Sequence, residues 1–222
     1  PPLDTPIPAE RSPRPSRLGR VAPFAPYVAV LIGMYGLHSA WAAVFGYHLS
    51  MALVLTLDGY WAQARRLGAG GPAWLRAGGA LFGIGGGAAL YLLWPWLGVP
   101  AGFGRTLAQL GLTEAAWPLF LVYFCAVNPA LEELYWRGYL HHPSRRLIPN
   151  DLLFAGYHLL VLAGYFAWPW LIAVFIGLTA AAWLWRQLAR HTGGLLVPYL
   201  SHVAADAGIM GAVYVLVVVR AG

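Results

Sequence analysis

The sequence carries little charge and no lysine. Only 10% of its 222 residues are charged, 59% are hydrophobic, and the mean hydropathy is +0.61. Soluble domains carry roughly 25% charged residues, so the composition excludes an ordinary soluble domain with a polar surface. The net charge of +6 comes entirely from arginine. In a soluble protein that excess would suggest nucleic acid, but here membrane topology explains it better, and no nucleic-acid partner is predicted.

Cysteine is nearly absent as well. Cys125 is the single cysteine, so no intramolecular disulfide can form. It lies in an apolar run, where a lone cysteine behaves as a small buried hydrophobic residue.

The N-terminal segment lacks any apolar period. Residues 1–20 are rich in Pro and Arg, which predicts a disordered cytoplasmic tail. The apolar run that follows is too long for a signal-peptide core and has no clear small-residue cleavage site, so we interpret it as a retained first span. Residues 21–222 are then predicted to form a single transmembrane domain.

Apolar runs of roughly 20 residues, long enough to cross a bilayer, dominate the rest of the chain. They predict an all-α fold, a polytopic transmembrane helix bundle with about seven spans (six to eight). The predicted spans are 22–46, 48–63, 77–97, 115–141, 151–167, 169–187 and 195–219. The WPW sequence at 168–170 is predicted to make a tight turn between the fifth and sixth spans.

The arginines are distributed unevenly between the two sides of these spans. With a cytoplasmic N-terminus, eleven lie on the cytoplasmic side, only Arg105 and Arg220 lie on the other side, and Arg137 lies within a span. This bias follows the positive-inside rule. We therefore predict an integral membrane protein in contact with the lipid bilayer, with its N-terminus in the cytoplasm. The composition indicates a bacterium with a GC-rich genome, and hence an inner-membrane location.

The sequence EELYWRG, residues 132–138, places three charges inside the fourth span. Each charge at that depth costs about 2.5–3.5 kcal/mol even on insertion scales. At 1.5 Å per residue, Glu132 lies roughly 15 Å from the cytoplasmic loop that follows its span. His158 lies about 10 Å deep in the fifth span, and His202 and Asp206 lie about 10 and 16 Å deep in the seventh. Three helices thus bring acidic groups and imidazoles to one layer, which indicates a functional site.

The spacing within these helices indicates how the charges are arranged. Glu133 and Arg137 are four residues apart, which favours an ion pair on one helix face. His202 and Asp206 share a face in the same way. Adjacent glutamates point about 100° apart, so pairing of Glu133 with Arg137 would leave Glu132 as a free carboxylate without an obvious partner. A partly desolvated carboxylate beside imidazoles can act as a general base on water.

Other polar residues are predicted to have structural roles. His38 and His48 are interpreted as packing or interfacial residues, and His141 and His142 as solvated loop residues. The Asn-Pro pair at 128–129 is predicted to kink or restart the fourth span, because proline interrupts helical hydrogen bonding.

At these residues the chain resembles the CPBP family of intramembrane proteases, which includes CAAX prenyl endopeptidases and bacteriocin-processing enzymes (ABI-type glutamic proteases). The family motifs EExxxR, FxxxH and HxxxN or HxxxD read EELYWR, FAGYH and HVAAD here, in the same order on separate spans. The residues concerned are Glu132, Glu133, Arg137, Phe154, His158, His202 and Asp206. The resemblance covers roughly 115–210, which it implies to be the catalytic core.

The resemblance implies a glutamate-dependent endopeptidase whose buried site opens toward the cytosol and takes a membrane-anchored peptide or protein. Glu132 with His158 would activate water, and His202 with Asp206 would stabilise the oxyanion. Glu133, Arg137 and Phe154 would support them. The eukaryotic-type pattern has Asn where this chain has Asp206. Because an ionised Asp cannot donate to an oxyanion, Asp206 is protonated, orients His202, or binds another group.

No cofactor is predicted. Glu132, His158 and His202 could form a zinc site with an open position for water. The chain has no HExxH sequence, however, and the family is similar to metal-independent glutamate enzymes in its best understood members. Zinc is therefore the less favoured alternative.

Two other classes of function use similar residues. A non-proteolytic membrane immunity or scaffold protein could bind a peptide in the same polar cavity. A transporter or proton-relay protein also uses intramembrane Glu and His, but no inverted repeat supports it. Within the protease interpretation, the substrate could be a prenylated C-terminus, a bacteriocin leader or the sorting tail of a surface protein.

Overall fold

A computed structural model describes residues 17–220 of the protein. Every regular element in that range is helical and none is a strand, so the predicted all-α fold is confirmed. Most of the predicted disordered tail, residues 1–16, lies outside the described residues, and a helix begins at Arg17.

The main helices follow one another with short connections. In chain order they are α1 (Arg17–Gly36), α2 (Ala40–Leu57), α3 (Ala73–Trp96), α4 (Phe103–Gln109), α5 (Trp117–Glu132), α6 (Pro149–Leu162), α7 (Trp168–Thr192) and α8 (Leu196–Val219). A 3-10 helix, Tyr60–Gly68, follows α2, and a π-helix, Glu133–Tyr139, continues α5.

Five of these helices, α1, α2, α3, α7 and α8, are long and apolar enough to cross a membrane. The α5 helix with its π-helical continuation contains the three charges of EELYWRG. The α6 helix has 14 residues and is about 21 Å long at 1.5 Å per residue, which is shorter than the hydrocarbon core. The prediction of an integral membrane protein is confirmed, and the number of seven spans stays a prediction.

The boundary between the predicted spans 22–46 and 48–63 was wrong. The chain breaks between α1 and α2 at His38 and Ser39 instead. His38 has a positive φ of 49°, and the Ser39 hydroxyl caps α2 by accepting a hydrogen bond from the Ala42 N–H at 3.2 Å. Hydropathy misses this break because the chain is apolar on both sides of it, whereas serine is a preferred N-cap residue.

The prediction of a turn at 168–170 was also wrong by a few residues. Trp168 begins α7, and Pro169 lies in its first turn, where the missing N–H costs no helical hydrogen bond. The turn itself lies at 163–167, directly after α6.

The helix does not restart at 128–129, and the predicted kink there stays a prediction. The α5 helix continues through Pro129 to Glu132, and the change of helical geometry comes at Glu133, where the π-helix begins. Proline removes one N–H donor and weakens the preceding turn. Insertions of π-helix are frequent at functional sites.

The loops form two ends of the bundle. One end, formed by residues 58–72, 140–148 and 193–195, contains Arg65, Arg66, Arg145 and Arg146, and we call it the arginine-rich end. There the Leu195 N–H donates to the Arg66 carbonyl at 2.8 Å. At the opposite end the Ala40 N–H donates to the Leu110 carbonyl at 2.9 Å. Apart from the short α4, which lies at this opposite end, successive helices therefore alternate in direction, as the predicted layer of polar groups requires.

The α3 and α8 helices pack almost backbone to backbone. A Cβ on Gly83 would lie 2.1 Å from the Ser201 carbonyl oxygen, and one on Gly87 would lie 2.3 Å from the carbonyl carbon of Gly208. Only glycine allows helices to approach so closely. This contact sets the position of α8 beside the end of α5.

Candidate active site

The two glutamates of EELYWRG lie where α5 changes into the π-helix. Their side chains are 0% exposed, and the neighbouring π-helical residues from Leu134 to Gly138 are buried as well. Burial of two adjacent carboxylates is stable only if each is paired or hydrogen-bonded.

Glu133 is paired with Arg137, as the spacing predicts. The Arg137 Nη1 atom lies 3.3 Å from Glu133 Oε1. The guanidinium also lies over two aromatic rings, 4.1 Å from the centroid of Phe154 and 4.9 Å from that of Trp185. Such cation–π contacts stabilise a cation that has lost its water. Phe154 thus supports the site by covering Arg137.

His202 joins the three acidic residues. Its Nδ1 lies 2.8 Å from Glu133 Oε1, and its Nε2 lies 3.3 Å from Glu132 Oε2 and 3.6 Å from Asp206 Oδ1. Because a carboxylate oxygen accepts, Nδ1 must carry a proton. The Trp185 ring stacks on the imidazole with centroids 4.4 Å apart, which holds the ring plane in place.

The expectation that Glu132 has no obvious partner was wrong. Its Oε1 accepts hydrogen bonds from the hydroxyls of Tyr47, at 2.6 Å, and Tyr157. Tyr47 is 85 positions away in the chain, in α2, and nothing in the sequence around it distinguishes it from an interfacial tyrosine. Tyr157 is adjacent to His158 in α6, at a position that the FxxxH motif leaves unspecified.

His158 lies beside this carboxylate. Its Nδ1 donates to the Phe154 carbonyl at 2.8 Å, so the other ring nitrogen, Nε2, is free of a proton in the neutral ring. The ring stacks on Tyr157 with centroids 4.1 Å apart and interacts electrostatically with Glu132. His158 is half-buried.

Asp206 is held by a chain of polar groups from two other helices. The Asn128 amide donates to Asp206 Oδ2 at 3.0 Å, and the Asn128 carbonyl oxygen faces His48 Nε2 at 3.1 Å. His48 Nδ1 in turn lies 2.8 Å from the Tyr123 hydroxyl. Asn128 thus contacts the site directly, and His48 is a buried packing residue in its second layer.

His141, interpreted above as solvated, is half-buried at the arginine-rich end. Burial lowers the pKa of His141 below its usual value, and the positive charges of Arg66 and Arg186 lower it further. Its ring is therefore less readily protonated than that of a loop histidine in water.

The predicted site residues are thus brought together on α5, its π-helical continuation, α6 and α8. Four residues that the motifs do not specify complete the site: Tyr47, His48, Asn128 and Tyr157.

The alternative zinc ligands were Glu132, His158 and His202. Among residues 17–220, however, no group of three or more His, Cys, Asp or Glu side chains is arranged to hold a metal ion.

Three comparisons with known proteins bear on this arrangement. Residues 114–208 match the protein-family model described as type II CAAX prenyl endopeptidase Rce1-like. The matched segment includes every residue of the three motifs, so the resemblance predicted from them is confirmed over that segment. Neither curated proteins nor solved structures gave a match.

Proposed function

We propose, from the premise that residues 114–208 belong to the Rce1-like family of CAAX prenyl endopeptidases, that this protein is an intramembrane endopeptidase. It hydrolyses a peptide bond of a membrane-associated protein or peptide by means of water activated by Glu132. The observation that carries the proposal is the approach of Glu132 Oε2 to His202 Nε2, 3.3 Å apart inside a fully buried, ion-paired layer. At this distance the carboxylate can take up a proton from water while the imidazole stabilises the charge that develops.

The first step is attack by water on the scissile carbonyl carbon. Glu132 Oε2 takes one proton from the water while the free Nε2 of His158 accepts a hydrogen bond from it. The water oxygen forms a bond to the carbonyl carbon, and the carbonyl electron pair moves onto its oxygen. When this oxyanion collapses, the C–N bond breaks and Glu132 returns the proton to the leaving amine nitrogen.

The oxyanion needs a hydrogen-bond donor. The Nδ1–H of His202 is directed at Glu133, so Nε2 can donate to the oxyanion only when the ring is a doubly protonated imidazolium. The surrounding carboxylates favour that charged form. Asp206 Oδ1 lies 3.6 Å from that nitrogen, and the Asn128 amide holds the other oxygen of the carboxylate. Of the three roles proposed for Asp206, these contacts support the one in which its carboxylate orients His202.

Access to the site is uneven. The Glu132 and Glu133 side chains are 0% exposed and that of His202 is 4% exposed, whereas that of Asp206 is 13% exposed. His158 is also partly exposed. A peptide would therefore approach from the side of His158 and Asp206. We assign the arginine-rich end, where α6 and α8 begin, to the cytoplasm.

The experiment compares purified wild-type protein with Glu132→Gln on a panel of membrane-anchored peptides in liposomes. The panel includes a prenylated C-terminus, a bacteriocin-type leader and a sorting-tail peptide, with cleavage followed by mass spectrometry. We expect the variant to lose about 100- to 10,000-fold in rate, the usual contribution of a general base. Glu114→Gln, at an exposed glutamate, is the matched control and should cleave normally.

Equal processing by wild type and Glu132→Gln would overturn the protease mechanism. Peptide binding without cleavage by both would then favour the immunity or scaffold alternative. The proposed mechanism uses no metal ion, so treatment with a strong chelator should leave the cleavage rate unchanged. Loss of activity restored by added zinc would contradict that part of the proposal.

A further inference from the structure

The two oxygens of Glu132 have very different surroundings. Oε1 accepts hydrogen bonds from the hydroxyls of both Tyr47 and Tyr157. Oε2 is buried and has no hydrogen-bond partner among residues 17–220, although His202 Nε2 lies 3.3 Å away. The carboxylate is thus held by two hydroxyls at one oxygen, whereas the other oxygen, also buried, faces His202 Nε2 without a hydrogen bond.

The direction of the Tyr47 hydrogen bond follows from its other partner. The indole Nε1–H of Trp136 donates to the Tyr47 hydroxyl at 2.9 Å, because an indole nitrogen can only donate. The phenol proton of Tyr47 is therefore left to point at Glu132. Both tyrosines are buried, and their rings pack with centroids 5.2 Å apart, so neither hydroxyl can exchange its partner for bulk water.

Tyr157 links this arrangement to the next residue of the site. Its ring stacks on His158 at 4.1 Å and lies nearly parallel to Trp136 at 6.4 Å. The hydroxyl of Tyr157 therefore holds Glu132 while its ring holds the imidazole that faces the same water in the proposed function.

We infer that Tyr47 and Tyr157 form a phenol clamp, two hydroxyls on one oxygen of Glu132, which positions the carboxylate and makes Oε2 the oxygen that takes the proton from water. Two donors occupy the lone pairs of Oε1 and fix the side-chain rotamer. Both tyrosines are positioning residues, since they act through Glu132. The inference rests on the proposed function.

One half of this clamp comes from outside the segment that matches the protein family. Tyr47 belongs to α2, whereas the match covers 114–208. The N-terminal helices therefore do more than anchor the protein in the bilayer: without α2, Glu132 would lose one donor, and the Trp136 indole would lose its acceptor. The active site is complete only when α2 packs against α5.

The test removes single hydroxyls. Tyr47→Phe and Tyr157→Phe keep the rings, so packing is retained while one hydrogen bond to a charged acceptor is lost. We expect kcat to fall about 10- to 100-fold in each variant, as for loss of a hydrogen bond to a charged group, with KM unchanged. The double variant should fall further than either one.

Tyr135→Phe is the matched control. Tyr135 is as deeply buried, lies in the same helical segment as Glu133, and donates its hydroxyl to the Ala22 carbonyl at 2.6 Å. Its removal should cost similar stability but leave kcat unchanged. If either clamp variant unfolds at a lower temperature than Tyr135→Phe, the other clamp variant carries the test, because both hydroxyls act on the same oxygen.

The outcomes separate the inference from the function on which it rests. Normal kcat in both tyrosine variants, together with an inactive Glu132→Gln, would overturn the clamp and leave the protease standing. An active Glu132→Gln would overturn the proposed function itself. A fall of kcat accompanied by a rise of KM in Tyr135→Phe as well as in the clamp variants would show a general packing effect and contradict the clamp.

Discussion

The two ends of the helix bundle have cores of different kinds. Toward the arginine-rich end, the core combines Tyr47, Tyr135, Trp136, Tyr157 and Trp185 with buried ionic groups, and each of these aromatic residues uses a polar atom in a hydrogen bond. Toward the opposite end, Trp117, Phe120, Leu107, Leu112 and Val217 form an apolar core.

The α5 helix with its π-helical continuation passes through both regions, so the contrast is visible within one continuous helical segment. Near its start, Leu119 and Val122 are 67% and 70% exposed on the outer surface of the bundle. Near its end, the π-helical segment is almost fully buried. An apolar side chain can face lipid at no cost, whereas a polar group in lipid loses its hydrogen bonds. The charged residues of the π-helical segment must therefore be enclosed by protein.

The largest expected effect comes from breaking the buried ion pair between Glu133 and Arg137, in the core toward the arginine-rich end. Arg137→Met leaves Glu133 buried without its cation, and removal of one partner of a buried pair costs about 3–5 kcal/mol. We expect a strongly lowered free energy of unfolding and loss of cleavage, measured by denaturation in detergent and by peptide cleavage.

The same replacement at the exposed Arg220, at the opposite end of the bundle, is the control. Its guanidinium lies 5.0 Å from the Tyr91 ring centroid, and an exposed contact of this kind is worth about 0.5–1 kcal/mol. Equal stability losses for Arg137→Met and Arg220→Met would mean that the buried Glu133–Arg137 pair contributes no more to stability than an exposed contact.

A smaller effect is expected from the apolar end. Phe120→Ala removes a buried ring that packs against Trp41 at 5.0 Å and Trp117 at 6.1 Å. The cost should be about 3 kcal/mol, the low end for such replacements, because in lipid mainly packing is lost. The free energy of unfolding should fall while kcat, measured at a temperature where the variant is folded, stays unchanged. A fall in kcat would contradict the separation of the two ends.

The smallest effect is expected from the close contact between α3 and α8, which positions His202. Gly83→Ala places a methyl group against the Ser201 carbonyl, next to His202 in α8, and such overpacking costs about 1–3 kcal/mol. Gly85→Ala is the matched control on the same helix, since a Cβ there has open space. We expect only Gly83→Ala to lower both the unfolding temperature and kcat. Identical behaviour of the two variants would show that close contact with α3 is not needed.

Much of the candidate site could be predicted from local spacing. The pairing of Glu133 with Arg137 follows from the helical period, and the approach of His202 to the glutamates follows from alternating spans and depth. The helix break at Ser39 could also have been predicted, because serine is a preferred N-cap residue. Hydropathy alone does not reveal it, since the chain is apolar on both sides. Tyr47 could not have been found in this way, because its role depends on which face of α2 packs against α5.

The sequence by itself determined that the chain is a helical membrane protein and which charged and imidazole groups share one layer of it. Composition, helical period and depth are local properties, and an apolar run of roughly 20 residues satisfies its backbone hydrogen bonds in lipid by forming a helix. Only the tertiary structure decided which oxygen of Glu132 is held by Tyr47 and Tyr157 and which has no hydrogen bond from residues 17–220. That choice depends on side chains from α2, α5 and α6 meeting within hydrogen-bond distance, and no single helix contains this information.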